Sequence, residues 1–83
     1  MAEFIFTRRF LLDVADWEKR ASPRDQTMLE QVLAAIAADP SLPGRAPSFY
    51  DPHAPSYLYR AGTFLVHYRL TDKGKVEFLN LFY

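Results

Sequence analysis

Ser56-Tyr57-Leu58-Tyr59-Arg60-Ala61-Gly62-Thr63-Phe64-Leu65-Val66-His67-Tyr68-Arg69-Leu70, followed by Thr71-Asp72-Lys73-Gly74-Lys75 and Val76-Glu77-Phe78-Leu79-Asn80-Leu81-Phe82-Tyr83, decides the fold of this chain. Three short runs of aromatic and β-branched residues follow one another, separated only by glycine-containing turns. Such runs read as strands of an antiparallel meander. Alternation then puts Phe64, Val66, Tyr68 and Leu70 on one face of the middle strand, and Leu65, His67 and Arg69 on the other. The first set is the more continuously apolar and is expected to meet the helices. With Ala61-Gly62 as a two-residue connection, Leu58 faces Leu65 and Arg60 faces Thr63. With Asp72 to Gly74 as a three-residue connection, Arg69 faces Glu77 and His67 faces Leu79, and Leu81 and Tyr83 continue that row. A one-residue change in the second turn instead puts Asn80 outside and Leu79 and Leu81 inside.

Upstream, Glu3 to Arg8 reads as a first strand, with Phe4 and Phe6 on one side and Ile5 on the other. Thr7 caps a helix over 8–20, along which Phe10, Val14, Trp17 and Ala21 recur at helical spacing. Ser22-Pro23-Arg24-Asp25 opens a second helix: serine caps, proline takes the first helical position, and the acidic residue suits the positive helix end. Met28, Leu29, Val32, Leu33 and Ile36 form its apolar stripe, and Asp39-Pro40 stops it after Ala38. The stretch 39–55, with Pro40, Pro43, Pro47, Pro52 and Pro55, has no periodicity and is expected to be a stiff loop. Within it, Ser48-Phe49-Tyr50 is either a short strand or, in preference, an aromatic plug over the core. The expected fold is α+β, a single domain over 1–83 in the order β-α-α-β-β-β. Two helices cover one face of a small, largely antiparallel sheet.

Composition limits the function classes. The 83 residues are 49% apolar and 16% aromatic, which argues for a packed domain. Ten basic and ten acidic residues cancel, so no general field attracts a polyanion. Cysteine is absent, which excludes disulfides and thiolate metal sites and suits a reducing cytoplasm. No leader pattern or membrane-length apolar run is read, and no membrane association or cofactor is expected. His53, Asp51 and His67 lack a ligand-spacing motif, so no metal site is expected either. The isolated Gly44-Arg45 and Gly62 do not make a phosphate loop. Trp17 and the tyrosines suit core and interface better than a base-stacking platform.

The uncovered sheet face is expected to hold Arg60, His67, Arg69 and Glu77 beside Leu58 and Leu65, with Leu79, Leu81 and Tyr83 in the three-residue-turn register. It is solvated, occupied by a partner, or covered by the 39–55 loop. Cleavage of RNA by its own 2′-hydroxyl needs a proton acceptor, a proton donor and positive charge near the phosphorane. His67 with Arg60 and Arg69 is the minimal catalytic set available. The plainer reading makes His67 structural and Arg69–Glu77 a cross-strand pair.

The segment Tyr59-Arg60-Ala61-Gly62-Thr63-Phe64-Leu65-Val66-His67-Tyr68 resembles the Arg-x-Gly-x-aromatic-Arg-Val-x-Tyr hairpin of the RelE/ParE superfamily, the toxins of bacterial type II toxin–antitoxin pairs. Arg60, Gly62, Phe64, Val66 and Tyr68 fall on its arginine, glycine, aromatic, valine and tyrosine. The resemblance implies a RelE-like fold, an antitoxin-like partner or self-association as a homodimer, and the ribosome with mRNA, or DNA gyrase, as target. It also implies what is missing. Leu65 and Leu58 stand where nuclease members carry basic residues, and no basic residue precedes Tyr83 in the last strand. These departures favour protein binding, or degenerate activity, over enzymatic action. An active ribosome-dependent mRNA endoribonuclease and a homo-oligomeric interaction module are the alternatives.

Overall fold

The computed structural model describes residues 3–48 and 55–83. The elements run β1 (Phe4–Phe6), α1 (Arg8–Glu18), α2 (Pro23–Ala38), β2 (Arg45–Ser48), β3 (Ser56–Ala61), β4 (Phe64–Leu70) and β5 (Val76–Phe82). The strands form one sheet in the order β1-β5-β4-β3-β2. β1 runs parallel to β5, and every other neighbouring pair is antiparallel. The class is therefore α+β, as the sequence indicates. Among the described residues, no helix is long and apolar enough to cross a membrane.

Both helices start where their caps place them. Thr7 Oγ1 accepts the Phe10 N–H, and Ser22 Oγ accepts the Asp25 N–H, each at 3.1 Å. Each bond satisfies one of the donors that a helix start leaves unpaired. α1 ends at Glu18, two residues short of the expected Arg20. Its Phe10 and Trp17 and the Leu29, Val32 and Ile36 of α2 pack with Phe64, Val66, Tyr68, Val76, Phe78 and Leu81 of the sheet. Burial of each large apolar side chain contributes about 1.5–3 kcal/mol. Phe6 stacks on Phe10 with ring centroids 5.4 Å apart, which ties β1 to α1. Leu70, expected in this core, is instead 39% exposed. It is the last residue of β4, where the sheet has run past the helices.

Three further features differ from the sequence reading. Arg45–Ser48, inside the stretch expected to be a loop, is a fifth strand paired with β3. Pro47 is tolerated there because β2 is an edge. The Phe49-Tyr50 part of the proposed plug lies outside the described residues. The β3–β4 turn is Gly62-Thr63, with Ala61 still paired to Phe64. Gly62 has φ +55°, the positive value that the first position of a tight hairpin turn needs, and this moves the turn one residue on. Leu58 therefore opposes His67, and Arg60 opposes Leu65, rather than Leu65 and Thr63. Because the register moves by two, each residue keeps its face.

The third of these is in β5. Arg69 pairs with Glu77 as expected, yet His67 pairs with Asn80 and not with Leu79, across an irregularity at His67/Tyr68. Leu79 is the extra residue of a bulge, and beyond it the faces of β5 are exchanged. Leu81 consequently points into the core at 3% exposure. α1 secures this region. Thr7 Oγ1 donates to the Leu79 carbonyl at 3.0 Å, and the Asp13 carboxylate accepts the Leu81 N–H at 3.1 Å.

Candidate functional site

The face opposite the helices is a grid whose rows follow the strand register. Ser56, Arg69 and Glu77 form one row, Leu58, His67 and Asn80 the next, and Arg60, Leu65 and Phe82 the third. All of the expected open-face residues of β3 and β4 are therefore brought together, and Glu77 with them. Leu79, Leu81 and Tyr83 do not join them, because the bulge removes them from that row.

His67 occupies the middle of the grid and is only 2% exposed. Its Nδ1 lies 3.1 Å from Asn80 Oδ1, and its Nε2 lies 2.9 Å from Ser56 Oγ. A carbonyl oxygen only accepts, so Nδ1 carries the proton and donates it to Asn80. Nε2 is then left to accept from the Ser56 hydroxyl. Ser56 is itself buried at 4%. The connectivity Asn–His–Ser is that of a nucleophile relay. It lacks the other parts of one, since the serine is not open to solvent and a sheet commits its N–H groups to the ladder rather than to an oxyanion. The trio fixes one histidine tautomer and knits three strands. Sequence reasoning missed Ser56, although its spacing from Leu58 and Arg60 puts it on this face. Asn80 appeared only in the alternative register.

Arg69 is bound to Glu77, Nη2 to Oε2 at 3.0 Å, with both side chains partly covered. Its Nε is buried without a hydrogen-bond partner among the described residues. Arg60 is exposed, and Phe82, which sequence reasoning did not single out, is 44% exposed beside half-buried Leu65. Two arginines and one glutamate leave the face only weakly positive. His53 and Asp51 lie outside the described residues.

Tyr83 turns to the helix side. Its hydroxyl donates to the Asp16 carboxylate, and the Arg20 guanidinium sits 6.0 Å from its ring centroid. The shared hydrogen bond holds the Asp16 carboxyl below its usual range and raises the Tyr83 phenol above its own. Tyr83 closes a small pocket of ≈ 190 Å³ together with Trp17, Arg20, Ala21, Asp25 and Thr63. Tyr68, at the centre of the opposite face, donates its hydroxyl to the Pro40 carbonyl at 2.7 Å. Burial pushes its phenol up to about 12.

No protein-family model and no curated protein matches the chain. Among solved structures, a chain of the toxin–antitoxin complex RelBE2 from Mycobacterium tuberculosis is similar to it, with a TM-score of 0.73 and 21% sequence identity. The match covers 99% of this chain and 96% of that one. At that identity the likeness is one of architecture, and it extends over the whole sheet and both helices. The chain has a RelE-like fold.

Proposed function

We propose that this chain is a RelE/ParE-like member of a bacterial type II toxin–antitoxin pair that acts by binding protein rather than by cutting RNA. In this reading its first partner is an antitoxin-like polypeptide, and the site of action is the cytoplasm. The observation that carries the reading is the state of His67. A general base must come within about 2.6–3.2 Å of the proton that it takes. His67 is sealed under the face with both ring nitrogens hydrogen-bonded. Arg69 is neutralised by Glu77, which leaves Arg60 as the exposed cation of the grid. One such charge is a poor hold on a polyanion, because each phosphate contact adds to affinity and to its salt dependence.

Support for a protein partner comes from the same grid. Leu58, Leu65 and Phe82 leave apolar surface in a face where His67 is already bonded to Ser56 and Asn80, and Arg69 to Glu77. That is the composition of an interface centre. The similar solved chain belongs to a toxin–antitoxin complex, which supports the choice of partner. The test is co-purification with the product of the neighbouring reading frame, followed by titration. Phe82→Lys is expected to weaken that binding while leaving the circular dichroism spectrum unchanged. Undiminished binding by Phe82→Lys, and by Leu65→Lys, counts against this face.

A further inference from the structure

We infer that the outer edge of β1 joins two copies of this chain into a symmetric dimer. Two backbone hydrogen bonds fix which groups of β1 are committed to β5. The Glu3 carbonyl accepts the Val76 N–H at 2.8 Å, and the Thr7 N–H donates to the Phe78 carbonyl at 3.1 Å. In a parallel ladder the committed residues alternate. Glu3, Ile5 and Thr7 therefore face β5, and the N–H and C=O of both Phe4 and Phe6 point the other way. β1 ends the sheet, so among the described residues no strand meets those four groups.

The sequence across this edge, Phe4-Ile5-Phe6, reads the same in both directions. An antiparallel pairing of two copies centred on Ile5 puts Phe4 opposite the second copy's Phe6. In that register each outward N–H meets an outward C=O, giving four hydrogen bonds and leaving none of the outward groups over. Side-chain chemistry agrees with it. Phe4 and Phe6, 45% and 39% exposed, lie on the helix face with ring centroids 5.4 Å apart. Two copies extend that pair into a row of four rings. Ile5, 46% exposed, meets its own equivalent on the other face. Charge favours the same direction. Antiparallel pairing brings Glu3 toward the Thr7–Arg8 end of the second copy, whereas parallel pairing sets glutamate by glutamate and arginine by arginine.

The other edge of the sheet is defended and this one is not. β2 presents Pro47 and Arg45, devices that block strand addition. β1 carries neither a proline nor a lysine, and its only defence is its length of three residues. That length keeps the contact well under the roughly 800 Å² per partner of a stable interface, so the dimer is reversible and concentration-dependent. It joins two five-stranded sheets edge to edge and leaves both open faces free. Its existence is thus independent of the antitoxin-like partner proposed above.

The absence of cysteine makes the test direct. Opposed residues that do not hydrogen-bond in an antiparallel pair have Cα atoms about 4.5 Å apart, within disulfide reach. Under mild oxidation, Ile5→Cys is expected to form a covalent dimer at least about tenfold faster than Asp72→Cys, an exposed turn position remote from this edge. Sedimentation of the unaltered chain over a concentration series is expected to show a reversible dimer. Ile5→Lys, which sets two charges against each other, is expected to abolish it while remaining folded. Equal cross-linking rates for the two cysteine variants, or a dimer that survives Ile5→Lys, overturns the inference. So does a monomer at every concentration.

Discussion

The Asp13 carboxylate on α1 accepts the backbone N–H of Leu81 on β5 at 3.1 Å, joining residues 68 positions apart. β1 covers the outer edge of β5 only from Val76 to Phe78. Beyond that point the edge is open, and Thr7 and Asp13 take the place of a strand, one as donor and one as acceptor. The bulge at Leu79 sits between them, which explains how a strand with one residue too many keeps its backbone groups paired.

Asp13→Ala is accordingly expected to cost about 1–3 kcal/mol, the range for leaving a partly buried donor unpaired. Asp13→Asn keeps an acceptor oxygen and loses only the Arg9 ion pair, so its cost is expected to be smaller. Chemical denaturation of the two variants gives the comparison. Equal stability of Asp13→Ala and the unaltered chain contradicts the role assigned to this bond.

Tyr68 links stability to alkaline pH. Its folded-state phenol is raised to about 12 by burial, above its ordinary value of 10.0. A group raised in this way contributes stability that is fully present below pH 10 and is lost as pH rises through 12. Tyr68→Phe loses the bond to the Pro40 carbonyl and is expected to cost about 0.5–1.5 kcal/mol near neutrality. Above pH 10 the variant is expected to have the flatter stability profile. Thermal denaturation at a series of pH values reads both effects, and parallel profiles contradict the assignment.

His67 is expected to behave as a structural residue. His67→Phe leaves the Ser56 hydroxyl and the Asn80 amide without their partner, at about 1–3 kcal/mol for the buried group. Ser56→Ala removes the 2.9 Å bond to His67 Nε2 and is expected to cost about 0.5–1.5 kcal/mol. Any biological effect of His67 variants is then expected to follow the folded fraction measured by denaturation. A fully folded His67→Phe protein with altered biological activity contradicts this.

Gly62 carries the hairpin. A β-carbon there stands 3.1 Å from Met28 Sδ, and the backbone has φ +55°. Met28 is flexible, so the backbone term dominates, and Gly62→Ala is expected to cost about 1–2 kcal/mol. Gly62→Asn, whose side chain tolerates this backbone region, is expected to cost less. Denaturation midpoints rank the two, and the reverse order contradicts the argument.

What was legible in the sequence follows from locality. The caps at Thr7 and Ser22, the stripe Leu29, Val32 and Ile36, and the faces of β4 all depend on residues within a turn or two of each other. What was hidden depends on tertiary pairing. Arg45–Ser48 has no strand pattern and includes a proline, and it is a strand only because β3 offers it an edge. The bulge at Leu79 is set by α1, which Thr7 and Asp13 bring against it, and nothing in Val76 to Tyr83 announces it. The displaced bulge is also why the open face holds Asn80 and Phe82 where Leu79 and Leu81 were expected. The arginines and His67 were placed on the right face from alternation alone. The hydrogen bonds that occupy His67 needed the register.

The claim that the open face binds rather than cuts is tested most directly by mapping mRNA 5′ ends after the chain is expressed without a partner. Arg60→Ala is the matched control, because Arg60 is exposed and its loss leaves the core intact. The expected result is the same set of ends in both, with no cuts positioned by codon. Codon-positioned cuts that vanish with Arg60→Ala would contradict the account.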